Sequence, residues 1–176
     1  MEKKIALLQM NIAAGEVERN YAHAAELINT AAESKPDIIV LPETWNTGFK
    51  MTEKLPQEAD ANGERTKTML SELAKKHDIN IVGGSVATLR NNKVYNTTFI
   101  VDRKGTVISE FDKLHGFSPA KEDQYFQSGD HTHRFFLDEI PCSSVICYDI
   151  RFPEIIRKTT VEGVDLFFVP AEWPTL

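Results

Sequence analysis

Apolar positions along the chain recur with two different periods, and the switches between them mark out the elements. "KIALLQMNI" reads as a first strand, and "PDIIVLPE" runs apolar without alternation, as a strand buried on both faces of a parallel sheet does. Between them Val17, Tyr21, Ala24, Ile28 and Ala31 fall on one face of a helix from about Glu16 to Ser34. Met69, Leu70, Leu73 and Ala74 form the apolar side of a second helix, from about Glu64 to His77, and "INIVGGSVAT" reads as another strand. In "VYNTTFIVDRKGTVISEFDK" two β-rich runs flank the turn signal "DRKG", which predicts an antiparallel hairpin and so a mixed sheet. The polar tract "KEDQYFQSGDHTH" reads as a functional or connecting loop. Beyond it, "RFFLDEI" and "CSSVICYD" are strand candidates, "FPEIIRKTTVEG" is a short helix with a glycine stop, and "DLFFVPAEW" is a last strand. Alternating strands and helices predict an α/β protein, and no repeat, low-complexity tract or linker divides it.

Composition narrows the function more than the fold. With 176 residues and 41% apolar residues the chain can bury one ordinary core. Twenty basic against twenty-six acidic residues give a net charge of -6, which argues against a nucleic-acid or anionic-membrane surface and for a small-molecule partner. No apolar run approaches the ~20 residues of a membrane span, and "MEKKIALLQM" lacks the features of a signal peptide, so the cytoplasm is the default location. Cys142 and Cys147 lie five positions apart and would point to opposite faces of one strand, so a disulfide between them is not expected. Each is then a small buried hydrophobe or a reactive thiol.

In open α/β sheets ligands bind at the carboxyl ends of strands. Glu43, Lys113 and Cys147 follow the runs "IIVLP", "TVISEFD" and "SSVIC". Glutamate can shuttle a proton, an ammonium can sit beside a developing anion, and a thiol can attack carbon. Each has an ordinary alternative: a helix cap, a solvated lysine, a core cysteine. Ser143 and Ser144 lack the G-x-S-x-G context of a serine-hydrolase elbow. "HTH" at 131–133 has no matching metal-ligand cluster and reads as a solvated loop. His115, two residues from Lys113, reads as a group that orients that loop rather than as the base.

Taken together, "LPETWNTGF", "EFDKLHGFSPAKE" and "SVICYDIRFPE" resemble the glutamate, lysine and cysteine motifs of the nitrilase, or carbon-nitrogen hydrolase, superfamily. "YNTTFIVDRKG" and "AEWP" bring the likeness closest to its ω-amidase branch. The resemblance implies an α-β-β-α sandwich and a Glu43, Lys113, Cys147 triad. It also implies a thioester route that releases ammonia from a small linear amide, with no metal or organic cofactor. The ω-amide of a 2-oxo acid is the favoured substrate, with an N-carbamoyl compound or a nitrile as alternatives. Glu122 matches a second family glutamate that holds the lysine, and the backbone N–H of Tyr148 would help to bind the oxyanion. Trp45, Glu172 and Trp173 are placed near substrate, with a core role equally open for the tryptophans. Arg151 is read chiefly as a structural partner of Glu154 or another carboxylate and secondarily as a pocket cation that binds an acidic substrate group. Gly116 stands where the family carries a larger apolar residue, which predicts a looser loop after Lys113.

The resemblance further implies that residues 1–176 are the N-terminal part of a domain incomplete at its C-terminus, and that the full-length family member is a homo-oligomer. A catalytically silent remnant or an assembly module of the same fold is the alternative to an active amidase.

Overall fold

A computed structural model describes residues 2–173. Two sheets pack face to face, with helices against the outer face of the larger one. In the larger sheet β1 (Ile5–Leu7), β2 (Ile38–Val40) and β4 (Asn80–Val82) run parallel, and β4 then pairs antiparallel with β6 (Lys93–Val101). β5 (Val86–Arg90) pairs antiparallel with β6 and parallel with the two-residue β3 (Asp60–Ala61), and β7 (Val107–Asp112) closes the expected hairpin with β6. The smaller sheet has β9 (Ile140–Ser144) in the middle, antiparallel to β8 (Phe135–Leu137) and parallel to β10 (Leu166–Phe168).

Side-chain alternation along β2 assigns the two faces of the larger sheet. Ile39 and Leu41 point outward with Ile81, Phe99 and Val101. They pack under α1 (Val17–Ala32) through Tyr21, Ala24 and Ile28, and under α3 (Glu64–His77) through Leu70, Leu73 and Ala74. Ile38 and Val40 point the other way and, with Val82 and Ile100, meet Phe135, Leu137, Cys142 and Phe168 of the second sheet. Each fully buried Ile, Leu or Phe contributes roughly 1.5–3 kcal/mol relative to an exposed one, so the two apolar layers supply most of the cohesion. Polar ties reinforce the junction. His133 stacks on Phe111 and its ring nitrogens bond Ser109 Oγ of β7 at 2.8 Å and Ser144 Oγ of β9 at 2.7 Å.

Several sequence expectations need correction. "INIVGGSVAT" is two strands, because Gly84 takes a φ of +63° and a Cβ there would lie 2.0 Å from the carbonyl oxygen of Pro42. "CSSVICYD" stops being a strand at Ser144, and Cys147 opens a 3-10 turn, Cys147–Arg151, that leads into α5 (Pro153–Thr160). The helical turn α2 (Leu55–Glu58) and the helix α4 (Glu122–Tyr125) occupy tracts in which periodicity gave no signal. His133 is not solvated: it is 7% exposed, and burial pushes its pKa down to about 4.

Candidate active site

Glu43 leaves the end of β2 along a path that its neighbours dictate. The close pass of Gly84 against Pro42 brings Ser85 alongside, where its Oγ accepts from the Thr44 N–H at 2.9 Å and its carbonyl accepts from the Trp45 N–H at 3.1 Å. Glu43 is thereby fully buried. Lys113 directly follows β7, where its backbone N–H donates to Asn96 O at 2.9 Å, and its side chain is 3% exposed. Lys113 Nζ donates to Glu43 Oε1 at 2.7 Å and to Glu122 Oε2 at 2.8 Å. Asn96 Nδ2 donates to both carboxylates at 3.0 Å, and the Phe117 N–H donates to Glu122 Oε2 at 2.7 Å. Both carboxylates and the ammonium of this cluster are bonded to more than one neighbour, which offsets the cost of burying them, while Asn96 Oδ1 has no partner among the described residues.

Cys147 lies in the left-handed region with φ of +45°, a conformation that costs a non-glycine residue about 1–3 kcal/mol. Two anchors hold it there. Its N–H donates to Pro170 O at 2.9 Å, and the fully buried Asp149 accepts from the Ile146 N–H at 3.2 Å. Asp149 also accepts from the His115 N–H at 2.8 Å and pairs with His115 Nδ1 at 2.9 Å, while the His115 ring stacks on Phe152. One carboxylate therefore ties the segment after Lys113, through His115, to the segment carrying Cys147.

The electrostatics separate the two charged partners from the thiol. Burial works against the Lys113 ammonium, but Glu43 and Glu122 together outweigh it and its pKa lies above the ordinary lysine value. Burial pushes the Cys147 thiol up to about 12; Glu43 adds to the rise and Lys113 opposes it. At rest Cys147 is a thiol, so an ammonium-stabilised thiolate is not the starting state.

A cavity of about 450 Å³ opens on this cluster, lined by Phe49, Lys113, Phe117, Cys147, Tyr148, Arg151, Glu172 and Trp173. Lys113, Cys147, Tyr148, Glu172 and Trp173 lie together around this cavity, with Glu43 and Glu122 bonded to Lys113 behind it. Trp45 does not: it is fully buried in the main core, its indole N–H bonded to Gly83 O at 2.9 Å and its ring edge-on to Tyr21. Arg151 is exposed on the cavity rim over Trp173, and among the described residues it forms no ion pair with Glu154. Gly116 tightens its loop rather than loosening it, since a Cβ there would lie 3.0 Å from the Asp123 backbone nitrogen. Asn96, Asp149 and Thr44 escaped the sequence reading. The signal for Asn96 was available, as a strand-disfavoured residue inside the β-prone run "VYNTTFIV". Among the described residues no group of three or more His, Cys, Asp or Glu side chains is placed to hold a metal ion.

A two-sheet α/β fold whose strand ends bring glutamate, lysine and cysteine to one cavity defines the class: the chain belongs to the carbon-nitrogen hydrolase family, whose model matches residues 4–175. It is 42% identical over 175 residues to the 2-oxoglutaramate amidase of Bacillus subtilis, covering 99% of this chain and 66% of that protein. It is 30% identical over 178 residues to the chloroplastic omega-amidase of Arabidopsis thaliana, covering 94% of this chain and 48% of that protein. The crystal structure of Saccharomyces cerevisiae Nit3, a member of branch 10 of the nitrilase superfamily, matches with a TM-score of 0.87 at 26% identity, covering 98% of this chain and 65% of that chain. The chain spans about two thirds or less of the length of these relatives. Its fold is the nitrilase type. Among the described residues no helix is long and apolar enough to cross a membrane.

Proposed function

We infer that the protein is a cysteine-dependent amidohydrolase that cleaves the C–N bond of a small linear amide, the ω-amide of a 2-oxo acid being favoured. The observation that carries this reading is the buried contact of Lys113 Nζ with Glu43 Oε1, 2.7 Å, on the same cavity wall as Cys147. Because the thiol is held protonated, Glu43 takes its proton as sulfur attacks the amide carbon, rather than beforehand. The new oxyanion is stabilised by the Lys113 ammonium and the backbone N–H of Tyr148. Glu43 passes the proton to the nitrogen, the C–N bond breaks, and ammonia leaves a thioester on Cys147. Water then attacks the thioester, with Glu43 as base, and the carboxylate product departs. Glu122 and Asn96 keep Lys113 and Glu43 in register throughout. Arg151, which forms no ion pair among the described residues, is suited to the distal carboxylate of a dicarboxylic monoamide. A cytoplasmic site of action and self-association of the full-length protein belong to the same reading.

Acyl transfer tests the thioester step. Hydroxylamine added to a turnover mixture competes with water for an acyl-enzyme, so hydroxamate is the expected product, and its formation should require Cys147. Ammonia release without any hydroxamate would mean that water attacks the amide directly.

A further inference from the structure

Among the described residues that line the cavity Glu172 is acidic, and unlike the buried Glu43 behind it the proposed reaction does not use it. Its Oε2 accepts from Thr44 Oγ1 at 2.8 Å, and among the described residues no lysine, arginine or histidine forms an ion pair with it. Its backbone N–H donates to Glu43 Oε2 at 3.0 Å. That second bond sets the Glu172 peptide beside the carboxylate that, in the proposed reaction, serves the departing nitrogen. Glu43 must reach the departing nitrogen to deliver its proton, and the peptide of Glu172 is bonded to the same carboxylate, so Glu172 stands at the leaving-group end. An ionised carboxylate offers about four acceptor positions and no donor, and the Thr44 hydroxyl and the Phe49 backbone N–H together leave part of that capacity free toward the cavity.

We propose that the Glu172 carboxylate accepts a hydrogen bond from the N–H2 of the scissile amide, making Glu172 a specificity-determining residue that selects primary amides over esters and nitriles of the same acid. The inference rests on the amidase reading. An ester oxygen or a nitrile nitrogen carries no hydrogen, and each would set acceptor against acceptor; a site built to bond an N–H rejects analogues lacking it. Burial also pushes the Glu172 carboxyl up, with the Thr44 hydroxyl opposing and the Glu43 charge adding, and a donor from the substrate relieves that cost.

The test compares kcat/KM for a primary amide and the methyl ester of the same acid in the parent chain, Glu172→Gln and Glu172→Met. In Glu172→Gln the Thr44 hydroxyl keeps the carbonyl oxygen and turns the new N–H2 toward the cavity, so the amide-to-ester ratio should fall at least about tenfold. Glu172→Met, which has no acceptor of comparable strength, should lower the ratio in the same direction. A ratio that is unchanged, whether both rates fall together or neither does, overturns the proposal and leaves Glu172 as a brace for Glu43. The amidase reading fails separately, by an absence of Cys147-dependent ammonia from the parent. Affinities of the same two compounds for the Cys147→Ala protein, with and without Glu172→Gln, read the discrimination without turnover. An amide that has no advantage there, or that keeps its advantage in the Gln variant, overturns the proposal as well.

Discussion

At the scale of single residues the site turns on a thiol made harder, not easier, to ionise. Burial and the Glu43 charge outweigh Lys113, so Cys147 keeps its proton until an electrophile arrives. A resting thiol couples proton loss to bond formation and leaves little thiolate exposed to stray oxidants. Glu43→Gln should abolish hydrolysis while easing ionisation of Cys147. Removing that negative charge should lower the midpoint of the alkylation-rate profile against pH by about 1–2 units. An unchanged midpoint would place Glu43 away from the sulfur. At this scale the proposed reacting groups could be picked out in the sequence and their supports could not. Glu43, Lys113 and Cys147 each follow a β run, a position visible in one dimension. Asn96 and Thr44 matter through partners 26 to 128 positions away, Asp149 bonds His115 34 positions away as well as the nearby Ile146, and their residue types alone do not distinguish them from surface polar residues.

At the scale of elements, His133 ties β7 to β9 where the two sheets face each other. The neutral imidazole bridges Ser109 and Ser144, and burial lowers its pKa from the ordinary 6.5 to about 4. A histidine buried neutral contributes its full stability above the unfolded value and loses it as pH falls from about 6.5 toward 4, because the unfolded chain binds the proton first. The linked loss is at most about 3 kcal/mol. Urea midpoints at pH 7 and pH 4.5 should therefore converge in His133→Gln relative to the parent. Equal acid sensitivity in both would show that His133 does not titrate across the fold. The elements readable from sequence were the long periodic ones: α3 occupies Glu64–His77 as its apolar spacing predicts, and α1 differs by one or two residues at each end. α2, α4 and β3 span two to four residues each, too few for any period to show. The break at Gly84 depends on a backbone, Pro42, that is distant in sequence.

At the scale of the whole molecule, the two sheets are joined by a polar clamp as well as by their apolar faces. Asp138, in the turn between β8 and β9, accepts from Arg103 Nε at 2.7 Å and pairs with Lys3 at 3.1 Å, and Lys3 also pairs with Asp37 at 3.2 Å. The Arg103 guanidinium holds the Asp138 carboxyl well below the usual carboxylate range. Its contribution is therefore present above about pH 4 and is lost as acid protonates the folded form. Asp138→Asn should lower unfolding free energy at pH 7 by about 1–2 kcal/mol, and the difference should shrink below about pH 4 in denaturant titrations. A constant difference across that range would assign the loss to packing instead of charge. Face-to-face stacking of a seven-stranded and a three-stranded sheet was not legible from periodicity, which reports which residues are buried but not against what. It entered the sequence reading only through the family likeness.

The central claim, that Cys147 attacks an amide carbon beside Glu43 and Lys113, is tested most directly by ammonia release from 2-oxoglutaramate, measured for the 176-residue chain and for Cys147→Ser. The account predicts steady release by the parent and a loss of at least about 10⁴-fold in the variant, with circular dichroism unchanged. Equal rates in the two proteins, or no release from a folded parent, would contradict it.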